Sequence, residues 1–176
     1  MLIGLLSDTH SHLPKELFEH FKDVDEIWHS GDFGNVELVK QLENFKLLRG
    51  VYGNIDGQEI RAIFPEDLIF TINNVKVYMT HIGGYPPKYN ARSKQIILQE
   101  KPHLFISGHS HIVKVVPDKD LHLLHLNAGA CGNQGWHKVK TLMRFRILRF
   151  LGQVISSNET VQFDRVSLVI LGVKVS

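Results

Sequence analysis

The sequence predicts an α/β protein in which two mixed β-sheets pack together as a β-sandwich and helices flank them. Three observations support this fold class. In the first half of the chain, short apolar runs alternate with amphipathic stretches, a pattern typical of β–α units. In the second half, short β-like runs follow one another, which favours antiparallel pairing. No repeat, low-complexity tract or linker-like run divides residues 1–176, so we expect a single domain.

The first half contains three predicted strands separated by two predicted helices. The strands are predicted at residues 2–6, 26–29 and 45–48. One helix begins at Pro14, a residue favoured in the first helical turn, and the other lies near residues 36–44. Each helix carries its apolar side chains at helical spacing.

The second half begins with a hairpin signal. Residues 67–72 and 75–80 read as two strands joined by the turn Asn73-Asn74. A helix is predicted at residues 90–100, and further strands at residues 104–107, 112–116, 121–126 and 139–150. The last residues, about 20 of them, carry little turn or cap signal, and we predict no element there.

Composition excludes several classes of protein. A hydrophobic content of 43% argues against disorder, and the single cysteine argues against a disulfide scaffold. A net charge of +2 is too small to indicate nucleic-acid binding, and the basic stretch at residues 138–149 is better explained as a strand with one solvated face. No signal peptide or membrane-spanning run is recognisable, so a cytoplasmic protein is expected.

Polar residues suited to metal binding follow the predicted strands. The chain contains 11 histidines, several of which lie at these strand ends. Ligands of open α/β sheets collect at the carboxyl ends of strands, so these side chains are expected to converge. Aspartate, histidine and asparagine together suit first-row divalent cations. The candidates are Asp8, His10, Asp32, Asn54, His81, His109 and His111.

The same segments, in this order, resemble the calcineurin-like metallophosphoesterase superfamily over about residues 1–150. The small size of the chain and its Gly53-Asn54-x-Asp56 sequence are similar to the compact bacterial and archaeal phosphodiesterase branch, the YfcE-like proteins. The resemblance implies the two-sheet fold described above and a metal-dependent phosphoesterase, with phosphodiesters as the first expectation. The segments that carry it are Asp8-x-His10, Gly31-Asp32, Gly53-Asn54, His81 and Gly108-His109-Ser110-His111.

The resemblance also implies a role for each ligand. Two divalent ions are expected, Mn²⁺ before Ni²⁺, Fe²⁺ or Zn²⁺. Asp32 would bridge the two ions together with a shared water or hydroxide, which attacks the phosphorus. The first ion would be held by Asp8, His10 and His111, and the second by Asn54, His81 and His109.

The sequence departs from the superfamily pattern after Asn54. The wider superfamily places a histidine there that protonates the leaving group, whereas this chain has Ile55, although the acidic partner is kept as Asp56. Asn54 and Asp56 are therefore candidate catalytic residues. His12, two residues beyond His10, could replace the missing acid; the alternative is a solvent-exposed histidine.

The substrate contacts carry no motif of their own. After His81 the family usually has glycine and histidine, but here Ile82-Gly83-Gly84 follow. Tyr89 and Arg92 lie in the next loop-to-helix segment and are candidate substrate-binding residues, with Arg92 suited to a phosphate oxygen.

Two alternatives to a small-molecule phosphodiesterase stay open. The chain could be a non-catalytic protein-binding scaffold on the same fold, although all seven ligand positions are intact. It could also be a metal-dependent nuclease, whose affinity for single strands would depend on salt. We expect a small phosphate ester as the partner and no association with a membrane. A homo-oligomer is compatible with the sequence.

Overall fold

The computed structural model describes residues 1–135 and 138–148, and the backbone of residues 166–173. Four helices lie in these ranges: α1 (Glu16–His20), α2 (Val36–Phe45), α3 (Gln58–Ile63) and α4 (Ala91–Glu100). The strands there are β1 (Leu2–Leu6), β2 (Glu26–His29), β3 (Leu47–Gly50), β4 (Asp67–Ile72), β5 (Val75–Thr80), β6 (Gly84–Tyr85), β7 (Lys88–Tyr89), β8 (Leu104–Ile106), β9 (Val113–Asp118), β10 (Leu123–Ala128), β11 (Lys140–Ile147) and β12 (Val166–Val173).

The strands form two five-stranded mixed sheets, as the sequence predicts. In the first sheet the order is β12-β11-β1-β2-β3, with β1, β2 and β3 parallel and β11 antiparallel to both β1 and β12. In the second sheet the order is β4-β5-β8-β10-β9, with a parallel centre and an antiparallel strand at each edge. Strands β6 and β7 form a separate two-stranded hairpin. The parallel strands matter for function because their carboxyl ends lie at one edge of each sheet.

The main core lies between the two sheets. Trp28 is fully buried, and its ring makes edge contacts with Phe70 at 5.0 Å and Phe145 at 5.5 Å between ring centroids. Alternating side chains of both sheets complete this layer, among them Ile3, Met79 and Ile106. Burial of these side chains supplies most of the free energy that holds the sheets together.

Helices cover the outer face of each sheet. The first sheet is covered by α1, α2 and α3, whose buried Leu17, Leu42 and Ile60 belong to one apolar cluster. Helix α4 packs Ile97 against Tyr78 and Phe105 on the second sheet. The side chains of Asn35 and Asn90 cap α2 and α4 by accepting backbone hydrogen bonds from the first helical turns.

Several element bounds differ from the sequence prediction. Strand β3 begins at Leu47, two residues later than expected, because α2 continues through Phe45. Helix α3 and the β6–β7 hairpin were not predicted, since elements of six and two residues carry too little periodicity to be recognised. The predicted strand at residues 139–150 is β11, and its last two residues lie outside the described ranges. In the tail, where the sequence predicts no element, the backbone of residues 166–173 adds β12 to the first sheet.

Within the described part of the chain, no helix is long and apolar enough to span a lipid bilayer.

Candidate metal centre

The strand ends bring all seven candidate ligands to one region, where the two sheets face each other. Six of them form two groups of three, and in each group one possible ligand atom per residue lies within 4.8 Å of the others. The seventh, Asn54, lies beside the second group. This convergence is what the sequence predicts for residues at the carboxyl ends of strands. Asp8 and His10 follow β1, Asp32 follows β2, Asn54 follows β3, His81 follows β5, and His109 and His111 follow β8.

The first group consists of Asp8, His10 and His111. The Asp8 carboxylate is fully buried, and its Oδ1 lies 3.1 Å from Nε2 of His111. The other oxygen, Oδ2, accepts a hydrogen bond of 3.1 Å from the backbone N–H of His109, which ties the β1 loop to the β8 loop. The rings of His10 and His111 are in edge contact at 5.6 Å.

The second group consists of Asp32, His81 and His109, with Asn54 beside it. His81 donates from Nδ1 to the backbone carbonyl of Ser30 at 2.7 Å, so its Nε2 faces the site. Nε2 lies 3.3 Å from Asp32 Oδ2 and 3.1 Å from Asn54 Oδ1. Three acceptor atoms therefore point at one another, an arrangement that only a cation or a proton satisfies.

Asp32 lies between the two groups. Its Oδ2 is 3.3 Å from Nε2 of His81 in the second group and 3.7 Å from Nε2 of His10 in the first. The other oxygen, Oδ1, accepts a hydrogen bond of 3.1 Å from the backbone N–H of Ile55, which fixes the orientation of the carboxylate. Asp8 Oδ1 also lies within 4 Å of a nitrogen in each group, 3.1 Å from Nε2 of His111 and 3.9 Å from Nε2 of His81, so both carboxylates make contacts that join the groups.

The backbone at the ligands is strained. Five of the seven candidates have a left-handed backbone, with φ between 46° and 65°. This conformation is uncommon outside glycine and costs about 1–3 kcal/mol where a side chain is held in it. Such strain concentrates at functional sites, because the surrounding structure must impose it. The five are Asp8, His10, Asp32, His109 and His111.

Asp56 holds the turns that carry Asp32 and Asn54. Its carboxylate is buried and accepts three backbone hydrogen bonds: Oδ2 from Asp32 at 3.0 Å and Gly53 at 2.7 Å, and Oδ1 from Gly34 at 2.9 Å. The sequence suggested a catalytic role beside position 55. Because backbone donors engage both oxygens, the contacts instead fit a residue that positions the ligand turns.

His29 has a similar supporting role that the sequence did not reveal. Its ring is fully buried, accepts a hydrogen bond at Nδ1 from the backbone N–H of Gly31, and lies 2.9 Å through Nε2 from the hydroxyl of Thr9. Thr9 stands between Asp8 and His10 and bonds to the carbonyl of Asp32. Burial lowers the pKa of His29 to about 3, so the ring is a neutral connector between the β1 and β2 loops.

Two glycines allow these loops to approach closely. A Cβ on Gly53 would overlap the carboxylate of Asp32, and a Cβ on Gly31 would overlap the ring of His81. Gly31 also has a φ of 99°, which a larger residue adopts only at a cost. The ligands can reach their observed positions only with glycine at both places.

The charges of the site favour a bound cation. Burial lowers the pKa of His81, but the neighbouring carboxylates of Asp32 and Asp8 raise it above its usual value. The hydrogen bond to Asp8 raises the pKa of His111. Burial raises the pKa of Asp32, and contact with His81 more than offsets this, so the carboxylate stays ionised.

Buried polar atoms test whether the residues fit a metal. Among the described side chains, His10 Nε2 is buried without a hydrogen-bond partner, and it belongs to the first group. In the same group, Asp8 Oδ1 is fully buried with imidazole nitrogens of His111 at 3.1 Å and His81 at 3.9 Å beside it. A buried carboxylate is costly unless a cation or a proton donor balances it. Carboxylate, imidazole and amide donors in two adjacent groups suit divalent ions, so the residues fit a metal centre.

His12 is directed to a different partner. Its Nε2 accepts a hydrogen bond of 3.0 Å from the ammonium of Lys140, which is itself buried. Burial and the charge of Lys140 lower the pKa of His12, so the ring is neutral at physiological pH. A neutral ring whose Nε2 is already engaged is a weak general acid, which argues against the catalytic role suggested by the sequence.

A cleft opens beside the second group. It has a volume of about 280 Å³, and its walls include Asn54 and His81 together with Arg92. The Arg92 guanidinium is engaged by Glu66, by Asp67 at 3.4 Å and by the hydroxyl of Thr80 at 3.3 Å. Tyr89 is not part of this wall, because its hydroxyl donates to Asp118. Of the two substrate-binding candidates, only Arg92 borders the cleft.

Comparison with known proteins agrees with this geometry. Residues 1–149 match the family model of the calcineurin-like phosphoesterase superfamily domain, so the chain belongs to this superfamily. The fold and the family that the sequence predicts are thereby confirmed. Phosphoesterases of this kind use divalent metals, in agreement with the two candidate ligand groups.

The matches include two proteins named as phosphoesterases and a solved structure of Vps29. A probable metallophosphoesterase of Methanothermobacter thermautotrophicus is 31% identical over 71% of this chain and 75% of its own length. Phosphodiesterase MJ0936 of Methanocaldococcus jannaschii is 31% identical over 74% of this chain and 84% of its own. The crystal structure of wild-type Vps29 of Entamoeba histolytica in complex with Zn²⁺ has a TM-score of 0.67 at 16% identity, covering 98% of this chain and 99% of that one.

Gly53→Ala should displace Asp32 and weaken metal binding. The added methyl group overlaps the Asp32 carboxylate, so either that side chain or the turn must move. We expect the affinity for Mn²⁺, measured by isothermal titration calorimetry, to fall at least about tenfold, the usual minimum loss when the support of a ligand is disturbed.

Gly57→Ala is the matched control, because no heavy atom lies within 4 Å of a Cβ placed there. It should retain the affinity of the wild type. Equal Mn²⁺ affinities for the wild type and Gly53→Ala would contradict the placement of Asp32 in the centre.

Proposed function

We propose that the protein is a binuclear metal-dependent phosphodiesterase that hydrolyses small phosphate esters. The observation that carries this proposal is the position of Asp32, whose Oδ2 lies within 4 Å of histidine nitrogens in both ligand groups. A carboxylate in that place can serve two cations at once. The relationship to a named phosphodiesterase supports the choice of diesters over monoesters.

Each ligand group would hold one ion, with Asp32 shared. Asp8, His10 and His111 form the first set, and Asn54, His81 and His109 the second. When bound, the two ions supply positive charge for the phosphate and lower the pKa of the attacking water. The protein fixes the ligands in advance through the backbone hydrogen bonds to Asp56 and the Ser30 carbonyl that orients His81.

The chain offers no evident acid for the leaving group at position 55. Ile55 is 45% exposed at the edge of the site and carries no proton to donate. His12 is neutral and bonded to Lys140. Without an acid, the leaving oxygen departs as an anion, so esters with acidic leaving groups are the favoured substrates.

Asp32→Asn should abolish most of the activity and lower the metal content. Loss of the shared negative charge removes one ligand from both ions at once, so we expect kcat on an aryl phosphodiester to fall by at least about 10²-fold. The metal content, measured by mass spectrometry of the purified protein, should drop from two ions per chain towards one.

Asp120→Asn provides the control, because Asp120 is exposed and lies in the turn between β9 and β10. It should keep both ions and full activity. An Asp32→Asn protein with wild-type turnover would refute the binuclear site. A wild-type protein that binds two ions yet hydrolyses no phosphate ester, whether loaded with Mn²⁺, Ni²⁺, Zn²⁺ or Mg²⁺, would favour the scaffold instead.

The rate should depend steeply on the leaving group. General-acid catalysis is worth about 10²–10⁴-fold, and its absence penalises alkoxide far more than acidic phenolate leaving groups. We expect log(kcat/KM) for a series of aryl diesters to fall sharply as the pKa of the phenol rises. Ile55→His should flatten this dependence and help the poorest leaving groups most.

Ile69→His places the same ring at another exposed isoleucine, 39% exposed against 45% for Ile55, on the edge strand β4 and should leave the dependence unchanged. His12→Ala tests whether His12, the remaining candidate acid, donates the proton. A shallow dependence in the wild type that becomes steep in His12→Ala would show that His12 donates the proton after all, and would overturn the account of Ile55.

A further inference from the structure

Exposed isoleucines directly follow three ligands of the metal centre in the sequence. Ile55 directly follows Asn54, Ile82 follows His81, and Ile112 follows His111. Their side chains are 45%, 39% and 57% exposed, respectively. Single exposed apolar residues are common on protein surfaces, but here three of them adjoin ligands of one site. We call these three residues the apolar rim.

One residue of this rim, Ile82, borders the cleft. Tyr52 lines it as well, and its walls also include Asn54 and His81. A space of about 280 Å³ therefore starts at the ligands and can receive one ester group of a phosphate held at the centre. That volume is at the small end of ligand pockets and is enough for a phenyl-sized group.

Three charged side chains line the cleft: Arg61, Arg92 and Glu66. Arg92 pairs with Glu66 and with Asp67, which lies outside the lining. Arg61 donates from Nε to the carbonyl of Asp56, and its guanidinium lies 4.5 Å from the centroid of the Tyr52 ring. Both arginines are thus engaged by the protein itself, which leaves Ile82 and the Tyr52 ring as the apolar surfaces of the cleft.

We propose that the cleft binds one ester group of the phosphodiester and selects neutral apolar groups, aryl or alkyl, through Ile82 and Tyr52. This inference rests on the proposed function, because it needs the phosphate at the metal centre. Apolar contact with the ester group gains free energy in proportion to the area removed from water. A nucleic acid would place a polar nucleoside against Ile82 and would gain less from this contact. We therefore expect nucleic acid to bind less tightly than an apolar diester.

Direct binding tests this selectivity without relying on turnover. Diphenyl phosphate and dimethyl phosphate carry the same single charge and differ in apolar area. On the Zn²⁺-loaded protein, isothermal titration calorimetry should show about tenfold tighter binding of diphenyl phosphate, the preference expected if roughly half of one phenyl ring is buried. A short oligothymidylate should bind no tighter per phosphate than dimethyl phosphate.

Ile82→Ser should lower the preference for diphenyl phosphate to about threefold or less, because it removes the apolar wall next to His81. Ile69→Ser is the matched control: Ile69 and Ile82 are both 39% exposed, but Ile69 lies on the edge strand β4, on the face turned away from the core between the sheets. This control should keep the full preference.

The outcomes separate this inference from the proposed function. Equal affinities for the two phosphates, or equal losses in Ile82→Ser and Ile69→Ser, would overturn the apolar cleft even if the protein is an active phosphodiesterase. Tighter binding of oligothymidylate than of diphenyl phosphate would overturn it in favour of a nuclease. Preferential binding of diphenyl phosphate without turnover of any ester would support the cleft and refute the proposed function.

Discussion

The metal centre depends on the buried carboxylate of Asp56. Its hydrogen bonds from the backbones of Asp32, Gly34 and Gly53 hold two turns together that follow different strands. A buried carboxylate is tolerated because these hydrogen bonds satisfy its oxygens. The same bonds set the distance between the Asp32 side chain and Asn54, and a Cβ on Gly53 would already overlap that side chain. The ligands are thus positioned by the Asp56 carboxylate, whose two oxygens are both engaged by backbone donors.

The free-energy cost of this arrangement is visible in the backbone of the ligands. Ligands in both groups, such as His10 and His109, adopt left-handed conformations that an isolated chain avoids. The two packed sheets, joined through the Trp28 layer, supply the rigidity that holds these loops in place. Cations bound by the two groups would offset part of the electrostatic free-energy cost of burying Asp8 and Asp32 close together.

Most of the fold and the ligand set could be predicted from the sequence, because both follow from local patterns. The hairpin of β4 and β5 has the predicted bounds, since alternation and the Asn73-Asn74 turn define it within a few residues. The role of Asp56 and the pairing of His12 with Lys140, 128 positions away, depend on which loops meet in space. No short sequence motif indicates such contacts between distant loops. For the same reason the sequence gives no sign that Glu66 engages Arg92 at the cleft.

The central claim is that one carboxylate serves two metal ions. A crystal structure of the Mn²⁺-loaded protein, with anomalous diffraction measured at the manganese edge, tests it most directly. We expect two anomalous peaks about 3.5–4 Å apart, with the carboxylate of Asp32 between them and Asn54 beside the second. A single peak, or two peaks with Asp32 bound to only one of them, would contradict the account.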